Sequence, residues 1–355
     1  MADEKQVREE RKHAHVAHAV ALGKGPLPAG WEDIYPVHQA LLRHDLTEID
    51  TGGTLFGKRL VLPLVINAMT GGAPGLEKIN ASLARVAREA GVALAVGSQA
   101  AGLANREIRH TYQVVREFNP DGLVMANVSA AAGPERAREA VEMIGADALQ
   151  LHLNGAQELV MTEGDRKFRG LADNIARIVE KSDVPVMVKE VGFGISRETA
   201  GRLVKLGVAA IDVSGAGGTN FAAIELARNP RDNLDFMRFW GITAACSLLE
   251  VKSLGLPLEV VASGGISSSL DMMKALSLGA NAVGIAGYFL KILAQKGEEA
   301  LLLRIRQMQE ELKMLLLMTG AGDIRSLAGI PLVITGFTRA WCEQRGIDTA
   351  KYAQR

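Results

Sequence analysis

Three stretches of this chain bring together side chains that could do chemistry. The first is LHLNGAQE, residues 151–158, in which His152 and Asn154 stand two apart and so share one face of an extended strand. Gln157 and Glu158 follow at once, and polar groups that end an apolar strand make a ligand-facing patch. Glu158 is a single carboxylate with no second acidic ligand beside it. That fits Mg²⁺, which takes one or two carboxylates with substrate phosphates and water, but by sequence alone a solvated surface glutamate is the better reading. The second stretch is PVMVKEVG, where Lys189 ends an apolar run. An ammonium aimed into the interior must be paired or used. It could offset negative charge on a flavin ring or an oxyanion, or form a Schiff base. Pairing with Glu190 is awkward, because neighbouring strand residues point to opposite faces.

The third stretch is a pair of glycine signals late in the chain, Ser263-Gly264-Gly265 and Ala286-Gly287. Each ends an apolar run and leads into a helix start, where exposed N–H groups and the helix dipole favour a phosphate. Near the N-terminus, Arg11 and Lys12 stand with His13, His15 and His18. Folded over a binding site, the two cations could neutralise a diphosphate. The histidines, spaced HxHxxH, could also form a metal site, although the spacing is not a strong zinc signature.

These residues need elements that place them together. After residue 60, eight short apolar runs alternate with amphipathic stretches. The runs are Leu60–Ala68, Leu94–Ser98, Leu123–Val128, Ala148–Asn154, Pro185–Val191, Ala210–Ser214, Glu259–Gly264 and Ala282–Gly287. Nearly continuous apolar character is what a parallel strand buried on both faces requires. Helices fit the gaps, among them 76–90, 107–118, 135–145, 171–181, 197–206, 242–253, 270–278 and 298–318. Eight such units predict a (β/α)8 TIM barrel, whose active site lies at the C-terminal strand ends. Those ends present Ala68, Met69 and Thr70, then Ser98, Asn127, Ser214 and Thr219. Residues 1–59 are expected to form an irregular arm with a hairpin over one barrel end, and residues 60–355 the barrel, one domain overall. The segment between Gly215 and Gly241 reads as a long lid or binding loop.

Composition narrows the function. Forty basic and forty acidic residues cancel, which argues against nucleic-acid binding. No apolar stretch is long enough to span a membrane and no signal peptide opens the chain. Only two cysteines occur, in unrelated contexts. The expectation is a soluble, cytoplasmic protein; Cys246, inside AACSLLE, reads as core and not as a nucleophile.

Taken in order, RKxxH at 11–15, AMTGG at 68–72, GSQ at 97–99, LHLNxxQE at 151–158, EGDR at 163–166, VKEVGFG at 188–194, GGTNF at 217–221, ASGG at 262–265 and AG at 286–287 resemble the type 2 isopentenyl-diphosphate isomerases. The likeness covers nearly the whole chain. It implies an enzyme of isoprenoid biosynthesis that uses reduced FMN and Mg²⁺, with NADPH as reductant, to interconvert isopentenyl and dimethylallyl diphosphate. It also implies a homo-oligomer, tetramer or octamer. By the same resemblance Ala68, Met69, Thr70, Ser98, Asn127, Lys189, Ser214, Thr219, Gly264, Gly265, Ala286 and Gly287 hold FMN. Arg11, Lys12, Ser98, Asn154 and Gln157 hold the substrate, Glu158 binds Mg²⁺, and His152 and Gln157 act on the alkene. Two positions depart from the family pattern. Ala14 stands where an acidic residue is frequent, and Ala100 where a basic or larger one is. Among flavin barrels, a 2-hydroxyacid oxidase would need a histidine base and an arginine, and the strand-seven end SGGI supplies neither. A barrel that binds flavin or phosphate without catalysis is the remaining alternative.

Overall fold

The computed structural model describes residues 2–355, with side chains from residue 12 onward. It opens with helix α1 (Ala2–Leu22) and the short strand β1 (Ile34–Pro36). A hairpin follows, β2 (Gly53–Leu55) and β3 (Lys58–Leu60). Then come β4 (Leu64–Ile66), α2 (Leu76–Ala90), β5 (Ala93–Ala95), α3 (Ala100–Ala104), α4 (His110–Phe118), β6 (Val124–Ser129), α5 (Pro134–Ile144) and β7 (Ala148–Leu153). The chain continues through α6 (Gly155–Val160), α7 (Leu171–Lys181), β8 (Val186–Glu190), α8 (Arg197–Lys205), β9 (Ala210–Asp212), α9 (Phe221–Arg228) and α10 (Ala244–Lys252). It ends with β10 (Glu259–Ser263), α11 (Ser269–Ser277), β11 (Ala282–Ile285), α12 (Gly287–Lys296), α13 (Glu298–Thr319), β12 (Leu332–Ile334), α14 (Gly336–Gln344) and α15 (Ala350–Ala353).

Strands β4 to β11 are parallel and close into a barrel, β11 pairing back onto β4 with Val283 opposite Leu64. They hold because every residue of β4, β5, β8, β9 and β11 is buried, so apolar runs meet the core on both faces. Helix α2 shows the outer layer's logic. Its buried side includes Leu76, Asn80, Leu83, Ala84 and Ala87, a three-and-four spacing. It stops at Gly91, whose φ of +64° lets its N–H reach back to Ala87 and Arg88 carbonyls.

The hairpin β2–β3 plugs the N-terminal end of the barrel. Leu55 and Leu60 pack on Val65, Met125, Met187 and Val261. Phe56 N–H donates to Glu259 at 2.9 Å and Lys58 meets Asp147 at 2.6 Å, two acidic residues at strand beginnings. Strand β12 pairs antiparallel with β1, tying the two ends of the chain together.

Three expectations change. The first part of the N-terminal arm is regular: it forms α1, which lies across the opposite, C-terminal end with Val16, Ala19 and Val20 against Ile224, Leu290 and Phe221. Its stripe of small apolar residues stands among histidines and further alanines, so the periodicity is weak in sequence. The Gly215–Gly241 loop contains α9, capped by the Asn220 side chain on the Ala223 N–H, and a 3-10 turn over Asp232–Phe239. An extra helix, α12, also stands between the last strand and α13. Among the described residues no helix is long and apolar enough to cross a membrane.

Candidate active site

The C-terminal strand ends and α1 enclose a cavity of about 1060 Å³. Asn67 and Asn127 line its floor, and they belong to a chain of buried polar side chains from β6, β7, β9 and the end of β4. Asn67 Nδ2 donates to Asp212 at 2.6 Å, Gln150 Nε2 to Asn67 Oδ1 at 3.1 Å, and Asn127 Nδ2 to Gln150 Oε1 at 3.1 Å. Lys189 Nζ donates to the Glu190 carbonyl at 2.8 Å and to Ser214 Oγ at 2.9 Å, and lies 3.5 Å from Asp212 Oδ2. The lysine therefore pairs with Asp212 and not with the Glu190 carboxylate, as strand geometry requires.

His152 extends this chain into the cavity, its Nδ1 2.7 Å from Asn127 Oδ1. Because Asn127 uses its amide N–H on Gln150, its oxygen is the acceptor here and Nδ1 carries the proton. Nε2 is then left as an acceptor toward the cavity. Burial, reinforced by the charges of Lys12 and Lys189, drives the imidazole pKa down to about 3. His152 is thus a neutral acceptor at physiological pH and not a cationic acid. The expected result is an imidazole C–H resonance for His152 that stays in its neutral position from about pH 5 to 8; a midpoint near the free-histidine value would contradict it.

Above the floor, α6 presents Asn154, Gln157 and Glu158. Glu158 accepts from Asn154 Nδ2 at 2.7 Å and from the Asp165 N–H at 2.8 Å, so it is held in place at the cavity wall and is not a loose surface group. Gln157 Nε2 donates to Glu225 at 2.8 Å. The same Glu225 oxygen lies 2.8 Å from His15 Nε2 on α1, and Arg228 pairs with the other oxygen. Burial opposes charge on Glu225, but the hydrogen bonds from His15 and Gln157 and the Arg228 charge outweigh it and hold the carboxyl below its ordinary value. Lys12 also comes from α1 and donates to the Ser98 carbonyl at 3.3 Å. The helix thus brings a cation and a histidine onto the site.

The third wall is the glycine cradle. A Cβ on Gly264 would stand 2.2 Å from the Gly215 carbonyl oxygen, and one on Gly265 2.7 Å from that of Gly217; both glycines also have positive φ. A Cβ on Gly287 would stand 2.5 Å from Thr219 Oγ1. Gly287 opens α12, where the residue before it, Ala286, offers no side-chain cap to the first N–H groups. Backbone can therefore approach an anion that no side chain obstructs. Lys24 Nζ binds the Gly265 carbonyl at 2.9 Å and Ser267 Oγ at 3.1 Å at the rim. A bare phosphate cradle, a buried lysine and a polar floor fit FMN. Among the described residues no three His, Cys, Asp or Glu could hold a metal by themselves, so a cation at Glu158 would draw most of its ligands from phosphate and water.

Of the expected site residues, Ala68, Met69, Ser98, Asn127, His152, Asn154, Gln157, Glu158, Lys189, Ser214, Thr219, Gly264, Gly265, Ala286, Gly287 and Lys12 line this cavity. Thr70 does not: its hydroxyl turns away to donate to Asn80 on α2. The Arg11 side chain lies outside the described residues. Ala100 and Ala101 line the wall, leaving space where a larger residue would reach in. Sequence reasoning missed Asp212, Gln150 and Glu225. An aspartate inside the apolar run AIDV was a readable signal; Glu225 carried none, since an acidic residue in a short helix is ordinary.

Two further buried groups are structural. Cys246 is fully buried inside α10, and burial pushes its thiol up to about 11. Burial likewise raises the Glu190 carboxyl to about 7, although the N–H groups of Phe193 and Val191, both bonded to it at 2.6 Å, oppose the shift. A folded-state pKa above the unfolded one means stability present at low pH is lost as pH rises through about 7. Glu190→Gln should flatten that fall in melting temperature between about pH 5 and 8, and an unchanged slope would contradict it.

The family described as FMN-dependent dehydrogenase matches residues 99–330. A relative from Moorella thermoacetica named isopentenyl-diphosphate delta-isomerase is 53% identical over 338 residues, 95% of this chain and 97% of that one. The protein of that name from Symbiobacterium thermophilum is 48% identical over 358 residues, 98% of this chain and 99% of that one. Among solved structures, mandelate oxidase superposes with a TM-score of 0.67 at 18% identity, covering 92% of this chain and 97% of that one, a likeness of fold alone. On its likeness to these relatives over nearly its full length, the chain belongs to the type 2 isopentenyl-diphosphate delta-isomerase family, built on an FMN-dependent barrel.

Proposed function

We propose that this chain interconverts isopentenyl and dimethylallyl diphosphate by a 1,3-proton shift, with reduced FMN in the barrel and Mg²⁺ at the diphosphate. One proton adds to the terminal alkene carbon and another leaves the carbon next to the one bearing the diphosphate. The observation that carries the reading is the Gln157–Glu225–His15 linkage, which fixes a neutral amide in a cavity whose rim holds a lysine.

Protonating an unactivated alkene needs a well-placed donor and stabilisation of a cationic transition state. Bound in its reduced form, FMN would supply the electron-rich surface and the ring nitrogen that handles the proton, which is why a reaction with no net redox change needs a flavin. The protein's own groups then divide the work. Gly264, Gly265, Ala286, Gly287 and Thr219 would hold the FMN phosphate, and Asn127, Ser214 and Lys189 the ring edge. Lys12, Asn154 and Ser98 would bind the diphosphate, with Arg11 beside Lys12, and Glu158 would carry Mg²⁺. His152, neutral, would orient its partner by accepting a hydrogen bond at Nε2. Gln157 would place the alkene end, its amide pinned by Glu225. NADPH would keep the flavin reduced, and the working protein would be a soluble homo-oligomer.

Anaerobic assays with isopentenyl diphosphate, FMN and Mg²⁺ test this. Conversion should require NADPH or dithionite and should stop on chelation of Mg²⁺. Equal turnover by oxidised, chelated enzyme would overturn the reading. Bound FMN with no turnover under any condition would favour a non-catalytic barrel.

A further inference from the structure

Asp212 ends β9 and is fully buried, and it does not itself line the cavity. Its carboxylate gathers four residues that do. One oxygen accepts from Asn67 Nδ2 at 2.6 Å and stands 3.5 Å from Lys189 Nζ. The other accepts from Ser263 Oγ at 2.5 Å and from the Ser214 N–H at 3.1 Å. Strands β4, β8, β9 and β10 converge on this one group.

Ser214 adds a second observation. It is one of two non-glycine residues with positive φ among those described, at +34°. Such backbone persists only where its surroundings over-determine it. Here the Asp212 carboxylate accepts the Ser214 N–H while Lys189 Nζ donates to the Ser214 hydroxyl at 2.9 Å. Serine and lysine are thus locked to each other through the same acid. A buried ammonium that loses its carboxylate is left uncompensated and must move or draw in water.

We infer that Asp212 is a positioning residue: it fixes the Lys189 ammonium at the cavity floor and, through it, sets how strongly bound flavin prefers its reduced form. This rests on the FMN reading above. A fixed cation stabilises an electron-rich reduced ring more than the neutral oxidised one. An asparagine at 212 must turn its amide N–H₂ either toward Lys189 and Asn67 or toward the Ser214 N–H, all donors, and it removes the charge that holds the ammonium, so the lysine would be displaced.

The test is a double-mutant cycle on the FMN-loaded full chain, read as the midpoint potential of bound FMN with no substrate present. Lys189→Met should lower the potential. Asp212→Asn should lower it comparably, about a tenfold loss of preference for reduced flavin, which is ~30 mV for a two-electron couple. The double variant should sit where Lys189→Met sits. A rise in Asp212→Asn, which is what removing a negative charge beside an unmoved lysine would give, overturns the inference. So does full additivity of the two changes. If Asp212→Asn does not fold, Ser263→Ala removes one hydrogen bond from the carboxylate and keeps its charge. A drop that vanishes in the Lys189→Met background supports the inference, and an unchanged potential overturns it. Failure of the wild-type protein to retain FMN would overturn the cofactor reading itself, whereas these potentials are indifferent to whether the chain isomerises anything.

Discussion

Gln157→Ala is expected to lower kcat for isopentenyl diphosphate by about 10²–10⁴-fold, the usual worth of the positioned proton transfer that its amide aligns. FMN should stay bound, because Gln157 stands on α6, across the cavity from the glycine cradle, and none of its hydrogen bonds reaches that wall. The large effect follows from the way the amide is held. Its Nε2 is committed to Glu225, and Glu225 is in turn tied to His15 and Arg228. Alanine at 157 would remove the amide and leave a buried carboxylate short of a donor, so α1 would also lose part of its anchorage. Some rise in KM should therefore accompany the fall in kcat. Single-turnover rates with flavin pre-reduced separate the two. Wild-type turnover in that variant would remove Gln157 from the mechanism.

Gly287→Val is expected to abolish useful FMN binding while the apo protein still folds. The backbone there has no positive φ, and the nearest obstruction to a Cβ is a side-chain hydroxyl, Thr219 Oγ1 at 2.5 Å, not backbone. The added bulk would fill the point where the first N–H groups of α12 face the cavity. Each charge-assisted hydrogen bond lost to the phosphate should weaken FMN by about 10–100-fold. Flavin fluorescence titration reads the affinity, and an unchanged thermal melt of the apo form separates it from misfolding. Tight FMN binding in this variant would move the phosphate elsewhere.

The barrel was legible because a parallel strand buried on both faces is apolar nearly throughout, and runs such as Leu64–Ile66 and Ala282–Ile285 are that in sequence. The strand-end residues followed from the rule that such barrels work at their C-terminal mouth. What sequence hid was pairing at a distance. Asp212 meets Asn67, and Glu225 meets both Gln157 and His15, from remote parts of the chain, and no local period marks such partners. Thr70 shows the opposite case. It sits beside cavity residues in sequence, but its hydroxyl turns outward to Asn80. Helix α1 was missed because its packing stripe is only alanine and valine among histidines, after a first half dense in charge that composition reads as a solvated arm.

The central claim is a proton shift that needs a reduced flavin, and proton NMR of isopentenyl diphosphate in D₂O tests it most directly. The full-length protein, anaerobic with FMN, Mg²⁺ and NADPH, should yield dimethylallyl diphosphate carrying solvent deuterium, and an oxidised parallel sample should not. A product free of deuterium, or equal conversion in the oxidised sample, would contradict the account.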